Sequence, residues 1–70
     1  MKEYVTNNVF NLRKEKGVTQ EEFAQAIGVS RQTVIAIEKG NYIPSLLLGL
    51  KIARFFKKEV EKVFVYKYEK

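Results

Sequence analysis

Glu21 and Glu22 are the only adjacent carboxylates in the chain, and paired carboxylates are what general acid–base chemistry would use. They follow Thr19 at the start of a helix, where negative charge suits the helix dipole and Glu22 can complete a capping box. Capping accounts for them. With no histidine and no cysteine, there is no basis for imidazole or thiol catalysis, disulfides or Cys/His zinc sites. The residues offer no nucleophile–base or metal-ligand set, so no enzyme, metal or cofactor is expected. What remains is charge: 13 Lys and Arg against 8 Asp and Glu, a net +5 that suits a polyanionic partner. The excess is uneven, six basic against five acidic residues over 1–44 and seven against three over 45–70. A solvated surface would explain the C-terminal lysines equally well.

The elements that must position these side chains are clearest in residues 19–41, TQEEFAQAIGVSRQTVIAIEKGN. Thr19 caps one short helix, whose Phe23, Ala24 and Ile27 share a face, small Ala24 allowing a close neighbour. Gly28 ends it in a left-handed turn. Ser30 caps the next helix, where Val34 and Ile37 share one side, and Gly40 closes it. Two helices this short and this tightly joined cross steeply, as a helix-turn-helix whose second helix can enter a DNA major groove.

Around this pair the spacing predicts three further helices. Helix 1 runs from about Asn7 or Asn8 to Lys16, with Val9, Leu12 and Arg13 inward, and ends at Gly17. Pro44 biases Ile43 to an extended backbone, so residues 41–44 form a loop. Ser45 caps helix 4, whose Leu46, Leu48, Leu50, Ile52, Ala53 and Phe56 are dense enough to face two neighbours. Helix 5 spans about Glu59 to Val63. The stretch Lys62–Tyr68 is β-branched and aromatic, as is Glu3–Thr6, and a lone strand leaves its backbone unpaired. The two termini are therefore expected to form an antiparallel ribbon with Phe64, Tyr66 and Tyr68 on one face. Seventy residues, 46% of them apolar, make one domain with a core. No apolar run approaches the ~20 residues of a membrane span and no signal peptide opens the chain, so a cytoplasmic protein without a membrane partner is expected.

LRKEKGVTQEEFAQAIGVSRQTVIAIEKG (12–40), then Tyr42, Pro44, Ser45, Leu46 and the KIA of 51–53, resemble the Cro/phage-repressor type of helix-turn-helix, and in particular its short stand-alone members ending in an apolar strand. The likeness covers about residues 7 to 64. It implies an all-α, five-helix lambda-repressor-like DNA-binding domain with the terminal ribbon added, the helix-turn-helix at 19–39 and a dimerisation and ribbon segment at about 55–70. By the same resemblance Gln20 bonds a phosphate, and Ser30, Arg31, Gln32 and Thr33 open the recognition helix, where the family reads base edges, Arg31, Gln32 and Thr33 being the implied base contacts. Arg suits guanine O6/N7 and Gln suits adenine N6/N7. Ile35 and Ala36 lie one turn further on the same face, where relatives are commonly polar, and would meet a thymine methyl. Lys39, Asn41 and Tyr42 are implied backbone contacts, with Ser30 and Gln20. Arg13 and Glu38 match an Arg–Glu pair often buried between helices 1 and 3.

These residues lead to a sequence-specific regulator of transcription, a repressor acting on double-stranded DNA as a homodimer at an inverted repeat. Its dimer face is expected at Leu47, Phe55, Val60 and Val63, where apolar side chains exceed what one small domain needs. Phe10, with Leu47 and Phe55, is apolar where many relatives are not, and is expected against the ribbon or a second subunit. No effector domain is visible, so no small-molecule ligand is expected. A second reading of the same apolar C-terminal half is an antitoxin-like interaction module that binds DNA weakly by itself.

Overall fold

Thr19 begins the first helix of the pair as its composition requires. Its Oγ1 accepts from the Glu22 amide at 3.0 Å while the Glu22 carboxylate accepts from the Thr19 amide at 2.8 Å. A computed structural model describes residues 1–70, in the order β1 (Lys2–Asn7), α1 (Val9–Lys16), α2 (Gln20–Ile27), α3 (Arg31–Glu38), α4 (Leu46–Phe55), α5 (Val60–Val63) and β2 (Phe64–Glu69). Ser30 and Ser45 cap α3 and α4 through their hydroxyls, from the Thr33 and Leu48 amides. Gly28 ends α2 at φ 76°, a left-handed backbone that glycine adopts without steric penalty, and this turn delivers α3 across α2. Thr19→Ala removes half of the capping box on an exposed site and is expected to lower stability by about 1 kcal/mol, read from urea denaturation.

One core unites the five helices: Val9 from α1, Phe23, Ala24 and Ile27 from α2, Val34 and Ile37 from α3, Leu48, Ile52 and Ala53 from α4, and Val63 from α5. Phe55 and Phe56 close it from the end of α4, their rings 5.1 and 5.2 Å from that of Phe23. All-α understates the fold, because the chain ends pair as an antiparallel ribbon from Lys2↔Glu69 to Asn7↔Phe64. The register puts Phe64, Tyr66 and Tyr68 on one face, with Tyr66 and Tyr68 stacked at 6.0 Å. The Tyr66 hydroxyl donates to Glu3 at 2.7 Å, and that bond to a carboxylate holds the phenol's pKa above its ordinary value.

The start of α1 differs from the expectation. Asn7 belongs to β1, and from there its Oδ1 accepts from the Val9 amide at 3.1 Å. Asn8, at the helix boundary, makes no capping bond; its side chain donates instead to the Lys62 carbonyl at 3.2 Å, and its amide to the Val63 carbonyl at 2.9 Å. The ribbon is stitched to the helical body at this junction.

Candidate nucleic-acid interface

Helical periodicity sorts the eight residues of α3. Val34 and Ile37 point into the core with no exposure, so the face opposite them carries Arg31, Gln32, Ile35 and Ala36. Arg31 and Gln32 are exposed, and no ion pair or side-chain hydrogen bond engages either. Their donors and acceptors are free for an outside ligand. Ile35 and Ala36 are half-buried on the same face, which offers small apolar surface instead of hydrogen bonds. Thr33 sits on the flank toward the core, and its hydroxyl lies 3.0 Å from that of Ser30. Both hydroxyls thus serve the cap of α3 first.

The first turn of α2 lies beside this face. Arg13, Thr19, Gln20, Glu21 and Arg31 line one shallow depression of about 430 Å3, which brings Gln20 and Arg31 together. The Gln20 side chain is not free, as a phosphate-binding role alone would have it. Its Nε2 donates to Glu38 Oε1 at 3.1 Å, leaving one amide proton and the carbonyl oxygen available. Glu38 also receives Arg13 Nε at 2.6 Å and Nη2 at 3.3 Å, a two-pronged pair whose side chains are only 8% and 6% exposed. Arg13 Nη1 completes the arrangement by donating to the Val18 carbonyl at 3.0 Å. No buried side-chain polar atom lacks a partner. The ion pair therefore locks the end of α3 to α1 and to the first residue of α2, and it fixes the angle at which α3 is presented.

Lys39, Asn41 and Tyr42 follow α3 and are exposed. The Asn41 backbone amide donates to the Ala36 carbonyl at 2.9 Å, which ties its backbone to the end of α3.

The expected dimer residues do not stay together. Val63 is wholly buried in the core and cannot line a surface, since the last residue of the short α5 turns inward beneath the ribbon. Phe55 packs against Phe23 and Phe56, and Val60 is half-buried. Leu47 alone is open, at 71% exposure, and it is joined by Leu46 at 76%, Leu50 and Ile43. Of the α4 residues dense enough to face two neighbours, Leu46 and Leu50 face outward, followed along the helix by exposed Lys51 and Arg54. Phe10 is also exposed, its ring flanked by the Arg13 guanidinium at 5.4 Å and the Lys14 ammonium at 5.9 Å.

A short helix pair with a left-handed glycine turn, an exposed polar face on its second helix and a buried Arg–Glu lock together define a helix-turn-helix DNA-binding domain. The helix-turn-helix family matches residues 9–63, and the chain belongs to it, in the Cro/phage-repressor type. The chain is 52% identical over 60 residues to an uncharacterized HTH-type transcriptional regulator of Methanocaldococcus jannaschii, covering 86% of this chain and 91% of that one. It is 39% identical over 51 residues to a transcriptional repressor of the cryptic phage CTXphi of Vibrio cholerae, covering 73% of this chain and 46% of the repressor. Among solved structures it is similar to the restriction-modification controller protein C.AhdI of Aeromonas hydrophila, with a TM-score of 0.70 and 33% identity over 77% of this chain and 78% of that one. The protein is thus a transcriptional regulator of the helix-turn-helix class and not an enzyme. No helix is long and apolar enough to cross a membrane.

Proposed function

We propose that the chain is a sequence-specific repressor that binds an inverted-repeat operator as a homodimer. The observation that carries this reading is the face of α3, where Arg31 and Gln32 are exposed and unengaged beside the depression shared with Gln20. In this arrangement α3 lies in the major groove with Arg31 and Gln32 on base edges and Ile35 and Ala36 against thymine methyls. Gln20, Ser30, Lys39, Asn41 and Tyr42 contact the backbone, with Thr33 at the edge of the reading face. A single domain of this size covers little DNA, so two copies are needed for useful affinity. The second copy docks on Ile43, Leu46, Leu47 and Leu50, apolar side chains that one domain leaves in water.

Selection of bound duplexes from a randomised library at near-physiological salt tests the reading. Enrichment of an inverted repeat supports it; recovery of no motif, with binding that vanishes as salt rises, counts against it. On the selected site Gln32→Ala is expected to cost about 1–3 kcal/mol, with little change on random DNA. Equal losses on both would remove the base-reading role of Gln32. A stable hetero-complex from the native host, with weak DNA binding by the chain alone, would favour the interaction-module reading instead.

A further inference from the structure

Asn7 is the one side chain that ties the terminal ribbon to the recognition helix. It is the last residue of β1, opposite Phe64 in the ribbon, and it is half-buried. Its two polar atoms go to different helices: Oδ1 accepts from the Val9 amide at 3.1 Å, and Nδ2 donates to the Ile37 carbonyl at 2.9 Å. The Ile37 carbonyl also accepts from the Gly40 amide at 3.0 Å, so both of its lone pairs are used in fixing the last turn of α3. Asn7 is in turn held from behind, because Asn8 bonds the Lys62 and Val63 carbonyls at the root of β2.

The polar ties of α3 to the rest of the domain are therefore concentrated at one end. Asn7 holds its backbone there, and Arg13 and Gln20 hold the Glu38 carboxylate. At the reading end the polar contacts are local, between Ser30 and Thr33. A helix of eight residues is about 12 Å long, so a tilt of about 5° at the tied end moves Arg31 and Gln32 by about 1 Å. Hydrogen bonds to base edges need geometry held to roughly 0.5 Å, whereas phosphate attraction is long-ranged and tolerant of such movement.

We propose that Asn7 is a positioning residue for base reading, which sets the pose of the recognition helix from the terminal ribbon. The inference rests on the DNA-reading role of α3 and extends it to a residue outside the helix-turn-helix. The ribbon then belongs to the specificity apparatus, and is not only a closure of the chain ends.

Asn7→Asp and Asn7→Ser separate the two bonds. Both keep an oxygen acceptor for the Val9 amide, and neither can donate to Ile37: the aspartate has no N–H, and the serine is too short. Affinity for the selected operator and for a random duplex is measured for each variant at near-physiological salt. Amide exchange at Gly40 and Asn41 is followed alongside. Operator affinity is expected to fall about tenfold, the effect of one lost hydrogen bond to a constrained group, with random-duplex affinity changed by less than about twofold in Asn7→Ser. The two amides are expected to exchange faster while the helical signal persists. The added charge in Asn7→Asp acts on both DNAs, so the ratio of the two affinities is the deciding quantity. An unchanged ratio in both variants overturns the assignment, whether or not exchange speeds up. Loss of the folded signal in both also overturns it and leaves Asn7 a residue of stability alone. A wild-type protein that shows no discrimination removes the DNA-reading role itself, an outcome distinct from a ratio that survives the loss of Asn7.

Discussion

Glu38→Ala is expected to destabilise the domain by about 3–5 kcal/mol, because it leaves the Arg13 guanidinium buried without its counter-charge. A domain of this length has a total stability of roughly 4–10 kcal/mol. The substitution therefore removes a large part of the margin, and at roughly 4–8 °C per kcal/mol the midpoint of thermal unfolding should drop by more than about 12 °C. The magnitude follows from geometry. Three donors converge on the Glu38 carboxylate, two from Arg13 and one from Gln20, and once it is gone the buried Arg13 guanidinium has little water to fall back on. Arg13→Ala should be of similar size. A double replacement, Arg13→Met with Glu38→Leu, removes both charges and should recover most of the loss, since a buried pair need not be more stable than an apolar pair of similar volume. If Glu38→Ala unfolded within a few degrees of the wild type, the lock between α1, α2 and α3 would have to be discarded. Thermal scans by circular dichroism decide between these outcomes.

Local rules made much of this architecture legible. The Thr19–Glu22 capping box, the left-handed Gly28 and the caps at Ser30 and Ser45 each depend on residues within one turn, so sequence spacing specifies them. The ribbon was legible for another reason: a β-branched, aromatic end has to pair its backbone, and the other terminus was the available strand. The Arg13–Glu38 pair came from resemblance, and the distances bear it out. What spacing could not resolve were positions set by tertiary placement. Helix α4 is apolar almost all round, so its period does not tell Leu48, which is buried, from Leu46 and Leu50, which are not. Helix α5 has four residues, too few to show a period that would place Val63 in the core. By its spacing Asn7 reads as a helix start, whereas its bond to Ile37 joins residues 30 apart in sequence and leaves no local trace.

The same exposed leucines define the other large effect. Leu46→Ser with Leu47→Ser is expected to leave the fold intact yet lower affinity for an inverted-repeat operator by about 10²–10⁴-fold, the usual gain from linking two binding events. Folding should be spared because both side chains are mostly in water in the single domain, at 76% and 71% exposure, and little buried area is lost. Serine adds no charge, so phosphate attraction is unaltered and binding to random duplexes should persist at its former level. The argument turns on where the leucines lie. They occupy the N-terminal half of α4, immediately after the loop that carries Asn41 and Tyr42 from the end of the recognition helix. A second copy seated there would set the distance between the two reading helices, and hence the half-site spacing. Sedimentation equilibrium of the free protein and binding to full and half operators provide the readouts. A variant that sediments as a monomer and binds the full site no better than the half-site is the expected result. A variant that still dimerises and keeps full operator affinity would place the interface elsewhere on the domain.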